Sequence, residues 1–116
     1  MSNVAPIANR DMVADGLAGL NEESRSWLKL LMDNPVSDET LLDGLHLYLD
    51  RQAQSRVLNS LKLKKCGEWL GDIAPGRLQT RLMEAAKASQ HAAYLAFREG
   101  LVASGGLERA YPKAKI

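Results

Sequence analysis

Between Cys66 and Leu82 the chain reads CGEWLGDIAPGRLQTRL, and four of its side chains, Arg77, Gln79, Thr80 and Arg81, are of types that reach phosphates and base edges. Lys62, Lys64, Lys65 and Lys87 add positive charge nearby. If the break holding Gly71 were the turn of a helix-turn-helix, the helix from Arg77 would enter a DNA groove. The spacing argues against that reading. The motif usually carries apolar residues about one, six and nine positions after its turn glycine, and counting from Gly71 those places hold Asp72, Arg77 and Thr80. An ordinary corner explains the stretch as well, with Asp72 capping a helix and Pro75 in its first turn, where a missing N–H does little harm.

Other chemistry is thinly provided for. A structural zinc site draws on about four Cys or His ligands, and this chain offers Cys66, His46 and His91, widely separated. Neither phosphate-cradling pattern, GxxxxGK[ST] or GxGxxG, occurs. A nucleophile would be Cys66 or a serine beside a histidine with a third orienting group. Lys64 and Lys65 could activate the Cys66 thiol, but a helical cysteine more often serves as a small buried hydrophobe. Paired carboxylates (Glu22 and Glu23, Asp38 and Glu39) fall at helix starts, where the dipole accounts for them. The expectation is a protein with no enzymatic activity, no cofactor and no metal.

What remains is recognition. Interface energy concentrates in Trp, Tyr and Arg, which singles out Trp69, Arg77, Arg81, Tyr94 and Arg98 as candidates for binding a partner. Phe97 and Leu101 extend an apolar stripe and are candidates for dimerisation or docking, with an internal core as the competing role. Arg77, Gln79, Thr80 and Arg81 are the DNA-contact candidates of the alternative reading.

These residues must be positioned by helices. Asn21 reads as an N-cap with Glu22 and Glu23 behind it, and Trp27, Leu28, Leu30 and Leu31 as the apolar face of a helix closed by Asp33-Asn34-Pro35. Ser37 caps the next helix, whose Leu41, Leu42, Leu45 and Leu49 recur at helical spacing. That spacing lapses across Asp50 to Arg56 and resumes with Val57, Leu58 and Leu61, so a break is expected near Gln52 to Ser55. From Arg77 the positions Leu78, Leu82, Ala85, Ser89, Ala92 and Ala96 predict one long helix with a small-residue stripe, packed against an antiparallel neighbour and capped by Gly100. No stretch alternates with period two. The expected fold is all-α, a compact bundle of about four to five helices with a long Ala-rich helix near the C-terminus. Residues 1–20 are expected to be a flexible segment with at most a short helix, 21–103 the helical domain, and 104–116 a tail.

At 116 residues there is room for one core, and so small a helical chain often gains stability by pairing with a second copy. The net charge of +1 conceals a division: residues 1–50 hold three basic against nine acidic side chains, a net of −6, and residues 51–116 twelve against five, a net of +7. Opposed halves suit a nucleic acid, an acidic protein partner or each other. One cysteine, no leader-like N-terminus and no apolar run near the roughly 20 residues that span a bilayer point to the cytoplasm and away from membranes. The functional expectation is a homodimeric regulator that binds another protein, such as a transcription factor, and blocks or modulates its interactions as an antiactivator or adaptor; a DNA-binding regulator using residues 66–82 is the alternative.

Overall fold

The computed structural model describes residues 9–33 and 37–110, the last two by backbone alone. All regular structure among them is helical: α1 (Arg10–Gly19), α2 (Glu22–Asp33), α3 (Asp38–Ala53), α4 (Ser60–Ile73), α5 (Gly76–Lys87), α6 (His91–Ala103) and α7 (Gly106–Ala110). The all-α expectation holds, with seven helices in place of four to five. The stop at Asn34-Pro35 lies outside the described residues.

Local capping sets several of the starts. Asn21 and Ser24 form a reciprocal cap, the Ser24 N–H donating to Asn21 Oδ1 at 2.8 Å and the Asn21 N–H to Ser24 Oγ at 2.9 Å. Ser37 Oγ accepts from the Glu39 N–H at 3.1 Å, and Asn59 Oδ1 accepts from the Lys62 N–H at 3.0 Å. The chain leaves helix after Ala53 and re-enters it at Ser60, so the lapse in apolar spacing marks a real break. Beyond the break the apolar residues take a different phase from the one expected. Val57 and Leu61 lie in solvent, and the buried face of α4 is Leu63, Cys66, Gly67, Leu70 and Gly71.

The long C-terminal helix is not formed. α5 ends at Lys87, Ala88 and Ser89 close it with bonds to the Ala85 and Ala86 carbonyls, and Gln90 is extended (φ −58°, ψ 139°) before α6 begins. No proline or glycine marks this corner, and its cause is tertiary. α5 is held on α3, whereas α6 packs along α4; one straight helix could not serve both surfaces. The corner also shifts the phase of the stripe. Leu78, Leu82 and Ala86 are buried before it and Ala93, Phe97 and Leu101 after it, leaving Ala92 in solvent.

The α4–α6 contact is the closest helix pairing in the fold. A Cβ placed on Gly100 would lie 1.8 Å from the Lys64 carbonyl oxygen, and one on Gly67 would lie 2.2 Å from that of Phe97. Gly100 is therefore an interior residue of α6 where two backbones touch, not a C-cap. Gly71, four residues after Gly67, meets Leu101 and Ser104. Leu61 shares a groove with Leu95, Gly67 lies against the backbone of Phe97, Gly100 and Leu101, and Gly71 against Leu101 and Ser104; these contacts advance in the same sense along both helices, so they run parallel. The antiparallel neighbour expected from sequence is replaced by a parallel one, reached through the α5 crossover. A similar device brings α1 onto α3, where a Cβ on Gly44 would meet the Val13 side chain at 2.4 Å. α1 is ten residues long and contributes Val13, Ala14 and Leu17 to the core.

Candidate functional site

Three helices, α4, α5 and α6, hold the sequence-selected residues, and these do not converge on one surface. Arg77 and Arg81, one turn apart on α5, reach the N-terminus of α3. Arg77 Nε and one terminal nitrogen donate to the two Asp38 oxygens at 3.2 and 3.1 Å, and that terminal nitrogen also donates to the Met32 carbonyl at 3.0 Å. Arg81 donates to Asp38 at 3.3 Å and to Glu39 Oε2 at 2.6 Å. A forked guanidinium on a carboxylate is the strong form of this interaction. The two cations are thus engaged within the chain, and part of the charge division between its halves is complementarity inside the fold.

This network has a pH signature. The Arg81 hydrogen bond, with the Glu39 backbone and the Arg81 charge, holds the Glu39 carboxyl below its ordinary value of 4.5. A lowered folded value stabilises the native state above the unfolded one, and the gain is lost as pH falls through the folded value. Glu39→Gln is accordingly expected to flatten the acid limb of melting temperature against pH below 4.5, while leaving the curve near neutrality in the same shape. Superimposable acid limbs would refute the assignment.

Gln79 lies inside the protein, 1% exposed. Its amide nitrogen donates to the Gly71 carbonyl at 2.9 Å and to that of Ala74 at 3.0 Å, so it ties down the end of α4. Its oxygen is buried without a partner among the described residues. Gly71 and Asp72 belong to α4, which runs to Ile73, and the corner itself is Ala74 and Pro75. Asp72 therefore sits in the last turn of α4 and not at the start of α5; it pairs with Arg25, whose guanidinium lies 5.2 Å from the Trp69 ring. Thr80 is half-buried. With Gln79 inside and both arginines bound to α3, α5 does not present these four side chains together on one outer face.

Among the partner-binding candidates, Trp69 faces α2 through Arg25, and Tyr94 is half-buried with its ring tilted 39° to that of His91 at 6.1 Å. Arg98 is exposed. Phe97 and Leu101 are fully buried in the core of a single copy, so a docking role for them has no exposed surface to act through.

Cys66 is also fully buried, and burial raises its thiol above the ordinary value, with the Lys62 charge opposing the shift. The thiol stays protonated and out of reach. Disulfide-exchange labelling is expected to be slow in the native protein and rapid in denaturant; labelling of the native state at the rate of an open cysteine would contradict this burial.

One row of catalytic residue types does come together. Ser89 Oγ lies 3.4 Å from His46 Nδ1, and His46 Nε2 lies 3.2 Å from Asp50 one turn further along α3. The Ser89 bond is at the long limit for such a contact. The His46 and Asp50 side chains are 41% and 40% exposed, so water competes with every member of the row. Acyl transfer also needs oxyanion donors and a site that excludes water. The His–Asp pair acts as a helix-surface pair, with Ser89 fastening the α5–α6 corner to α3.

The surface that sequence reasoning missed is the outer side of α4 and α6. Leu61 is 80% exposed, Leu95 46% and Val102 49%. Leu61 and Leu95 line one shallow groove with Lys64, Ala92, Ala96 and Glu99. Their signal is phase: Leu95 lies between Ala93 and Phe97, and Val102 follows Leu101, so neither falls on the buried stripe. Among the described residues no group of three or more His, Cys, Asp or Glu side chains is placed to hold a metal ion, and no helix is long and apolar enough to cross a membrane. No protein-family model, curated protein or solved structure matches the chain.

Proposed function

We propose that the protein is a non-enzymatic regulator that binds another protein and blocks or modulates its contacts, as an antiactivator or adaptor does, with a homodimer as the functional unit and a transcription factor as the class of target. One observation supports this reading above the others: Leu61, Leu95 and Val102 stand exposed on the outer side of a rigid helix pair. Burying a leucine of that kind is worth about 1.5–3 kcal/mol, and helices presenting such residues at helical spacing are the usual elements of helix-face recognition. Mixed charge borders these residues, Lys64, Lys65 and Arg98 with Glu68 and Glu99, which suits a polar rim around an apolar centre.

A native pull-down with tagged protein, run with and without nuclease, tests the role. The expected result is a protein partner retained near stoichiometry after nuclease and lost in a Leu61→Glu, Leu95→Glu variant. Captured nucleic acid, with its proteins released by nuclease, would overturn it and favour the DNA-binding alternative. Duplex DNA binding at low salt is expected to be negligible, since Arg77 and Arg81 are already paired with Asp38 and Glu39.

A further inference from the structure

We propose that the outer face of the α4–α6 pair takes a second copy of this chain, related by a two-fold axis that sets the helices of the two copies antiparallel; this deepens, and rests on, the protein-binding role above. The order of residues along α6 favours this pairing. Among the exposed positions of α6, Leu95, Arg98, Glu99 and Val102 form a chemical palindrome, apolar, positive, negative, apolar, centred between Arg98 and Glu99, with His91, Ala92 and Ala103 exposed outside it. An axis at that centre brings Leu95 against Val102 of the second copy and Arg98 against Glu99 of the second copy.

α4 follows the same symmetry. It runs parallel to α6, and Lys64 reaches Glu99 at 3.9 Å, so its middle is level with the proposed axis. Leu61 lies at the Leu95 end, where the two share a groove. Lys65 and Glu68, which make no ion pair among the described residues, fall on either side of the centre, so that the copies place opposite charges together. A uniformly acidic or basic partner would meet like charge on part of this face, whereas a two-fold copy sets Arg98 against Glu99 and Lys65 against Glu68. Antiparallel packing also opposes the helix dipoles of the two copies.

The size of the face sets the strength. Helices of 14 and 13 residues are each about 20 Å long and together about 20 Å wide, a footprint of roughly 400 Å² per copy. Stable dimers commonly bury about 800 Å² per partner, so association is weak and concentration-dependent.

Sedimentation velocity over a concentration series of the full chain tests the occupant. The expected mass rises from 12.7 kDa towards twice that value with concentration, and Leu95→Glu weakens self-association at least tenfold while leaving the dilute-solution melting curve unchanged. Geometry is tested by the Leu95→Cys, Val102→Cys double variant, which is expected to form a covalent dimer on oxidation at high concentration. Within one copy the two positions are two turns, about 10 Å, apart and cannot bridge. A monomer at every concentration overturns the proposal, as does a dimer that Leu95→Glu leaves intact or that the cysteine pair fails to trap. A strict monomer that still captures a protein in the pull-down removes the second copy and keeps the binding role. A trapped dimer whose pull-down yields only nucleic acid does the reverse.

Discussion

Replacing Gly100 by alanine is expected to destabilise the fold by about 3 kcal/mol or more, against a gain in helix propensity of about 1 kcal/mol. The added methyl would lie 1.8 Å from the Lys64 carbonyl oxygen and 2.8 Å from the Glu68 amide nitrogen, and backbone atoms cannot swing aside as a side chain would. The helices would have to separate along their whole contact, loosening Leu63, Cys66, Phe97 and Leu101 together. Gly67→Ala meets the same obstacle from α4, where the methyl would lie 2.2 Å from the Phe97 oxygen. Because either methyl forces the same separation, the double variant is expected to cost less than the sum of the singles. Gly19→Ala is the control: it is exposed and its nearest new contact is Ser24 Oγ at 3.7 Å, so its effect should stay within about half a kcal/mol. Urea unfolding of the four variants beside wild type decides the matter, and a Gly100→Ala midpoint equal to wild type would mean that the helices do not approach as described. In a thermal melt the shift should exceed about 10 °C.

Phe97→Ala is expected to cost about 3–5 kcal/mol, with Leu101→Ala nearly as severe. Both side chains are fully buried within one copy, between α6 and the rest of the core. The loss should therefore be the same at every protein concentration. That separates the core role from the docking role suggested by the sequence, because an interface residue would change stability in proportion to the population of the complex. A Phe97→Ala protein of wild-type stability in dilute solution would return that residue to the surface. Comparison with Leu95→Glu sharpens the test: two α6 residues of similar chemistry, two positions apart, should divide cleanly, one affecting unfolding and the other association.

That division shows how far the sequence could be read. Where a backbone donor is satisfied by a neighbour in the chain, the reading succeeds: Asn21 and Ser37 sit where they cap α2 and α3, and the polar interval after Asp50 opens into a loop. Local chemistry is enough there. The corner at Ser89 and Gln90 has no local cause, since alanine, serine and glutamine would all continue a helix; it forms because α5 and α6 belong to different neighbours. Gly100 had the identity of a cap and the function of a crossing point, a difference visible only once Gly67 and the Lys64 carbonyl of α4 are opposite it. The charge division was legible but its resolution was not. Nothing local pairs Arg77 with Asp38 across 39 positions. The exposed stripe could have been found by asking which apolar residues of α6 fall out of phase with Ala93, Phe97 and Leu101.

The parallel crossover also bears on how the chain is made. Protein synthesis proceeds from the N-terminus, and domains fold as their parts emerge. The residues that fill the α4 groove lined by Gly67 and Gly71, Phe97 to Ser104, come some 30 positions later in the chain. Until α6 docks, Gly67 and Gly71 of α4 have no helix packed against them. A chain cut within α6 would lack part of the helix that covers this groove, leaving Leu63, Cys66 and Leu70 without the Phe97 and Leu101 side chains of their shared core.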